Sequence, residues 1–174
     1  SLQLKFALTY IIIIAAVLVL LNTYPVLVSQ DLVFRSKTSL LQSQAAVIAN
    51  SLARTATLTA STVRDYIEGS LMSSLDNMGH MRVLVTDPSG LVLYDSDDLR
   101  DMEGEYALFS GLTAALRGRD VANSEYRDGA FRSRAAIPVM YRGMTIGAVY
   151  VYEIDTDQAR LLGDIQTNLG TVSL

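Results

Sequence analysis

The chain has 174 residues, half of them apolar, no cysteine and a formal net charge of -4. Once one hydrophobic segment is set aside, the remaining apolar content suffices for one modest domain rather than two. The acidic balance argues against nucleic acid as a partner, because neutralising phosphates requires a basic face. The absence of cysteine excludes disulfides and thiolate metal sites.

Residues 1–30 contain the most apolar stretch. No charged residue occurs from Phe6 to Gln30, and a helix of this length crosses the roughly 30 Å hydrocarbon core of a bilayer. We therefore predict a transmembrane anchor, with a cleaved signal peptide as the alternative. Lys5 precedes the apolar run, so the positive-inside rule places the N-terminus in the cytoplasm and the remainder of the chain outside the membrane.

Residues 31–78 are predicted to form one long helix. Asp31 is a candidate N-cap, and neither proline nor glycine follows until Gly69. One side has the alternating three- and four-residue spacing of a heptad seam: Phe34, Lys37, Leu41, Ala45, Ile48, Leu52, Thr55, Thr59, Thr62 and Tyr66. We expect this side to pack on the chain's own domain, on the same helix of a second copy, or on both.

The periodicity changes from helix to strand after Gly79. Two apolar runs flank the Asp-Pro-Ser-Gly segment 87–90, which is the pattern of a hairpin. Residues 106–118 have helical spacing and end at a glycine, which predicts a short helix.

Three more strand-like runs follow, separated by Asp128-Gly129 and by Arg142-Gly143. The predicted fold class is α+β, with the anchor and the long helix packed on a five-stranded antiparallel sheet over residues 79–155. Residues 156–174 have helical spacing and no closing signal. We expect them to form an exit helix toward a second membrane span, in a natural chain that continues further.

Three motifs occur in a fixed order: VTDPSGLVLYDS, LTAALRG and AAIPVMYRGMTIGAVYVYE. This order resembles the PAS-like extracytoplasmic sensor domains, also called Cache or PDC domains, of bacterial membrane sensor histidine kinases. The matching positions are Asp87, Gly90, Leu116, Gly118, Pro138, Gly143, Ile146 and Gly147. The resemblance implies a receptor region outside the bacterial cell membrane that senses a signal and transmits it inward through the exit helix.

Four side chains are the predicted ligand-binding residues. Arg132 and Arg134 alternate along one strand, and Tyr150 and Tyr152 alternate along the last strand, so each pair shares a face of the sheet. If the two strands pair, a basic and aromatic lining forms on the side away from the long helix, where guanidinium groups would bind a small organic acid. The alternative is that the arginines pair with Glu125, Asp128 or the acidic loop.

Two other features are assigned structural roles. His80 is the single histidine and is predicted to be a helix-end residue rather than a pH sensor. The six acidic residues between Asp95 and Glu105 miss the spacing of a calcium loop and are predicted to form a solvated loop. No cofactor or metal is expected.

The leading functional hypothesis is the signal-sensing region of a two-component sensor histidine kinase, acting as a homodimer in the bacterial membrane. The chain holds no kinase helix pair with a phosphorylatable histidine and no glycine-rich ATP loop, so it is predicted to be non-catalytic, with the kinase elsewhere in the full-length protein. One alternative is the sensor of a chemotaxis or diguanylate cyclase receptor. The other is a membrane-anchored interaction module that binds no ligand.

Overall fold

A computed structural model describes residues 2–71, 81–97, 99–128 and 130–156. His80 and residues 157–174 of the predicted exit helix lie outside the described residues.

The first helix, α1, runs without interruption from Leu2 to Leu52. No helix boundary occurs at Asp31, so the predicted N-cap there is wrong: the residue lies within the continuous backbone ladder. The large apolar side chains from Phe6 to Leu21 are 47% to 66% exposed. Among the described residues, no helical stretch meets the length and apolar character needed to cross a bilayer, and the predicted anchor is therefore not confirmed.

The prediction of one helix over residues 31–78 is also wrong, because α1 ends at Leu52 and helix α2 begins at Ala60 (Ala60–Tyr66). The intervening segment is rich in threonine, whose hydroxyl bonds to nearby backbone groups and competes with helical hydrogen bonds. Thr55 donates to the Leu52 carbonyl at 3.0 Å. Thr59 and Thr62 form a reciprocal capping box that starts α2. A π-helical turn, Ile67–Leu71, follows α2.

The five predicted strands form one antiparallel sheet, which confirms the α+β class. The strands are β1 Met81–Thr86, β2 Val92–Asp95, β3 Val121–Arg127, β4 Ala130–Tyr141 and β5 Met144–Asp155, in the spatial order β2-β1-β5-β4-β3. The predicted short helix is α3, Ser110–Leu116. Gly118 follows it with a φ of +80°, the left-handed conformation that favours glycine after a helix.

The hairpin turn between β1 and β2 forms at the predicted segment. The Asp87 carboxylate accepts the backbone N–H groups of Ser89 (2.8 Å) and Leu91 (3.0 Å), an arrangement that an aspartate side chain favours in turns. Gly90 has a φ of +91°, which supplies the left-handed position of the turn.

The sheet has two covered faces. The helix face packs against α1, whose seam residues Leu41, Ala45, Ile48 and Leu52 are buried with Val83, Val85, Val149 and Val151. This part of the heptad seam is therefore an intramolecular contact. The opposite face, here called the far face, packs against α3 and the preceding loop through Leu84, Val92, Ala107, Leu112, Ala115, Ala136, Ala148 and Tyr150.

Candidate functional site

The register of β4 and β5 brings the predicted site residues onto the far face. Arg134 is directly opposite Tyr152, and Ala136 is opposite Tyr150. Arg132 lies one pair further along, opposite Ile154. Because side chains alternate across a strand, the two arginines share the face of Ala136 and Tyr150, which pack under α3. The strands that hold the two arginines and the two tyrosines therefore pair, as the predicted lining requires.

Arg134 and Tyr150 form the centre of this group. Arg134 lies beside Tyr150, near enough for its charge to act on the pKa of the Tyr150 hydroxyl, and within the described part of the chain it forms no salt bridge. Tyr150 is 9% exposed, and its ring contacts that of Phe109 with centroids 5.6 Å apart. Burial raises the pKa of Tyr150 and outweighs the opposing effect of the nearby Arg134, so the hydroxyl stays protonated at neutral pH.

Arg82 is a neighbour of the site that the sequence reasoning missed. It lies on β1 directly opposite Tyr152, so the row across the sheet reads Arg134, Tyr152, Arg82 on the far face. The signal was present in the alternation of the run MRVLVT, which puts Arg82 on the same side as Leu84. Its position beside the tyrosines depends on β1 pairing with β5 rather than only with its hairpin partner.

Arg82 is neutralised by Asp95. Its Nε donates to Asp95 Oδ1 at 2.9 Å and its Nη2 to Oδ2 at 2.5 Å, a bidentate pair. The Asp95 carboxylate also accepts the N–H groups of Asp97 (3.0 Å) and Met102 (3.1 Å). Burial alone would raise the pKa of Asp95, but the Arg82 hydrogen bond and these two N–H groups lower it below its ordinary value. Asp95 therefore holds the loop that covers the far face.

Arg132 lies at the rim of the site. Its Nη2 contacts Asp128 at 3.2 Å, and its partner position on β3 is Glu125. The alternative interpretation, pairing with nearby acids, therefore describes Arg132 and not Arg134. Its Nε is buried and has no hydrogen-bond partner among the described residues.

The acidic loop is tied to the rest of the domain by arginines. Glu103 accepts from Arg64 of α2 at 2.6 and 2.7 Å, which is a second Arg–carboxylate contact besides Arg82–Asp95. In the described ranges, no group of three or more histidine or acidic residues is placed to hold a metal ion.

A groove of about 310 Å³ lies on the other side of the sheet, between α1 and the edge strand β3. Its lining residues are Phe34, Arg35, Thr38, Ser39, Gln42, Ala122, Asn123 and Ser124. It is separate from the predicted site, because none of the four predicted residues contributes to it.

The fold is PAS-like, as the resemblance drawn from the motifs implies. Among solved structures, the chain is similar to the ligand-binding domain of the Campylobacter jejuni chemoreceptor Tlp3 in complex with L-valine, with a TM-score of 0.56 and 17% sequence identity. The match covers 79% of this chain and 59% of that chain, so the chain spans little more than half of the Tlp3 domain. At this identity the likeness shows the fold alone.

Two further sensor domains match less closely. The Escherichia coli DcuS sensor domain has 14% identity and a TM-score of 0.48, covering 74% of this chain and 98% of that chain. The sensor domain of the Vibrio cholerae histidine kinase DctB has 14% identity and a TM-score of 0.46, covering 88% and 59%. The fold assignment therefore rests on the Tlp3 match. No family model and no curated protein matches the chain.

Proposed function

We propose that this chain is the signal-sensing extracytoplasmic region of a bacterial sensor histidine kinase and that it binds a small organic acid on the far face of its sheet. The observation that carries the proposal is the Arg134 guanidinium, which lies on the far face beside Tyr150 and has no carboxylate in salt-bridge contact among the described residues. A guanidinium in this state retains donors for a bidentate carboxylate.

The tyrosines complete the proposed site. Tyr150 keeps a protonated hydroxyl, and Tyr152 lies directly opposite Arg134, so an acid held by Arg134 would contact an aromatic and hydroxyl lining. Arg132 would contribute its charge from the rim, where its side chain is 35% exposed. The neighbouring Arg82 is already bound by Asp95 and would shape the site rather than hold the acid. The chain itself would be non-catalytic.

A thermal-shift experiment tests binding. The full chain in detergent is mixed separately with acetate, pyruvate, succinate and L-valine. A ligand at 100 times its Kd stabilises the folded state by about 2.7 kcal/mol by mass action. We expect at least one acid to raise the Tm of the parent chain and of the control Arg127→Gln, whose side chain is 70% exposed. The same acid should leave the Tm of Arg134→Gln unchanged. No shift with any acid, or an undiminished shift in Arg134→Gln, contradicts the proposal.

The proposed receptor is anchored in the membrane by residues 1–30. Support comes from the absence of charge between Phe6 and Gln30 and from the exposed apolar side chains up to Leu21, which a bilayer would cover. Alkaline carbonate extraction of cells producing the chain tests this. We expect the chain to stay in the membrane fraction, and its release into the supernatant contradicts the anchor.

The proposed receptor is also a homodimer. Leu40 and Val47 are 48% and 57% exposed and lie one heptad apart on the side of α1 that does not face the sheet, with Ser43 between them. This spacing is typical of a helix that pairs with a second helix. Because the chain has no cysteine, Val47→Cys should cross-link to its own copy under mild oxidation. The control Leu99→Cys, on the exposed loop (96%), should cross-link much less. Equal cross-linking of the two variants contradicts the dimer contact.

The output of the full-length receptor is tested separately. Incubation of the full-length protein with ATP should give a phosphohistidine. If methyl-accepting or cyclic-dinucleotide activity is found instead, the chain is the sensor of a chemotaxis or diguanylate cyclase receptor.

A further inference from the structure

A lysine of α1 binds the end of the last strand. The Lys37 Nζ lies 3.1 and 3.2 Å from the two carboxylate oxygens of Glu153 and 2.8 Å from Asp155 Oδ2. The three side chains are only 13%, 18% and 16% exposed. This group, here called the Lys37 clasp, therefore differs from an exposed surface ion pair, which contributes little.

The protonation state of the clasp is consistent with its geometry. Burial would lower the pKa of Lys37, but the hydrogen bonds and charges of Asp155 and Glu153 outweigh it and raise the pKa above its ordinary value. The ammonium group is thus held charged between two carboxylates.

The clasp and the proposed ligand site are on opposite faces of one short strand segment. Tyr150 and Tyr152 point to the far face, whereas Glu153 and Asp155 point to α1 because side chains alternate along a strand. The register repeats this arrangement on β4, where Arg134 is opposite Tyr152 and Ser133 is opposite Glu153. A displacement of this end of β5 by a bound acid would therefore move the carboxylates that hold Lys37.

Other contacts at this end of the sheet reinforce the same junction. Phe34 lies about one helical turn before Lys37 on α1, and its ring packs edge-on against that of Phe131, with centroids 5.1 Å apart. The Thr38 hydroxyl lies 2.7 Å from that of Ser124, which in turn donates to Ser133 at 2.8 Å. These contacts hold α1 against β3 and β4, and the clasp is the charged contact to β5, the strand by which the chain leaves the sheet.

We infer that Lys37 is a positioning residue that couples the outgoing end of β5 to the incoming helix α1, and that the clasp passes a displacement of β5 to α1 when the far face is occupied. The inference rests on the proposed function, because binding of an acid on the far face is what would displace β5. The contact of Lys37 with the two carboxylates can be tested without a ligand. In this inference, Lys37 and its two carboxylates pass the displacement of β5 to α1, rather than the whole contact between the helix and the sheet.

The experiment measures the distance between α1 and β5. The chain lacks cysteine, so Ser39→Cys, at an exposed position of α1 outside the proposed dimer contact, and Ile154→Cys provide one pair of labelling sites per chain. Spin labels at these sites in the full chain, held in lipid nanodiscs, report a distance distribution by pulsed dipolar spectroscopy. We expect one narrow distribution in the parent pair and in Lys37→Arg, which keeps the charge and the donors. Lys37→Met should lose the narrow distribution.

Arg64→Met is the matched control, because it removes a different cation–carboxylate contact, Arg64–Glu103, away from α1 and β5. It should leave the distribution narrow. If Lys37→Met fails to fold by circular dichroism, Glu153→Gln replaces it. This variant leaves Lys37 bound to Asp155 and should give an intermediate width. A distribution that stays unchanged in the folded variants overturns the inference.

Addition of the same four acids separates this inference from the proposed function. An acid that raises the Tm should shift the distance in the parent pair and not in Lys37→Met. Binding of an acid with no distance change in the parent pair overturns the transmission role while the proposed ligand site stands. If no acid binds, the ligand proposal fails, and the ligand-free comparison of Lys37→Met with Lys37→Arg still decides the clasp.

Discussion

Replacing Gly147 by alanine tests how closely β1 and β5 approach each other. A Cβ atom at this position would lie 2.2 Å from the Thr86 carbonyl oxygen and 2.6 Å from Leu58 Cδ1. Carbon–oxygen contacts are normally about 3.3 Å or longer, so the added methyl group overlaps the Thr86 oxygen by about 1 Å. That oxygen belongs to the strand paired with β5 and cannot withdraw without disturbing the ladder.

The magnitude follows from the rigidity of the contacted atom. Overpacking a core typically costs about 1–3 kcal/mol, and a collision with backbone rather than with a flexible side chain places Gly147→Ala at about 3 kcal/mol or more. At roughly 2–4 °C per kcal/mol for a chain of this size, the Tm should fall by about 6–12 °C. The usual effect of replacing a strand glycine by alanine has the opposite sign, because glycine loses more backbone entropy on folding.

Thermal and urea unfolding followed by circular dichroism measure this change, with Gly111→Ala as the matched control. Gly111 is in α3, and its added Cβ would have its nearest neighbours at 3.8 to 3.9 Å, an ordinary contact distance. The control should be neutral or stabilised by up to about 1 kcal/mol. A Gly147→Ala chain as stable as its parent would refute the reasoning, because the strands would then have room that the structure does not show.

Three further predictions concern the far-face loop and the start of α2. Asp95→Asn should lower the free energy of unfolding by about 2–3 kcal/mol, because it removes the carboxylate that binds Arg82, whose side chain is 22% exposed and therefore partly hydrated. Urea unfolding measures this change. The control Asp101→Asn, on the same loop, should change stability by less than about 1 kcal/mol. Because the pKa of Asp95 is lowered in the folded state, the stability it contributes is present above its unfolded pKa of about 3.9 and is lost as the pH falls below that value. The free energies of unfolding of the parent and of Asp95→Asn, measured with urea, should therefore converge at acid pH. A difference that stays constant with pH would contradict the assigned shift. Thr59→Ala removes the capping box of α2 and should cost about 1 kcal/mol by the same assay, whereas an unchanged midpoint would mean that α2 does not depend on its cap.

The local pattern of the chain was sufficient for most of the secondary structure. The alternation of apolar residues and the glycine-containing turns identified five strands and α3, because both signals depend only on residues near in sequence. The end of α1 at Leu52 was not identified. Threonine has only a modest helix penalty, and the break forms because hydroxyl groups at Thr55 and Thr59 bond to the backbone, which composition alone does not decide.

The candidate site shows the same division. The alternation along β4 and β5 placed Arg132 with Arg134 and Tyr150 with Tyr152, and the antiparallel register then brought Arg134 opposite Tyr152. Sequence could not separate the two arginines. Their surroundings differ in the folded chain: Arg132 is near Asp128 at the rim, and Arg134 is beside Tyr150.

What the sequence by itself determined was therefore the class of fold and the face on which the polar and aromatic side chains lie, since both follow from short-range periodicity. Tertiary structure alone decided which distant groups meet. The heptad seam of α1 packs on the sheet, Lys37 binds Glu153 and Asp155 more than a hundred residues later in the chain, and Arg82 joins the tyrosine row because β1 pairs with β5. These contacts are long-range pairings of strand and helix, and their partners are set by the packing of the whole domain rather than by any local pattern.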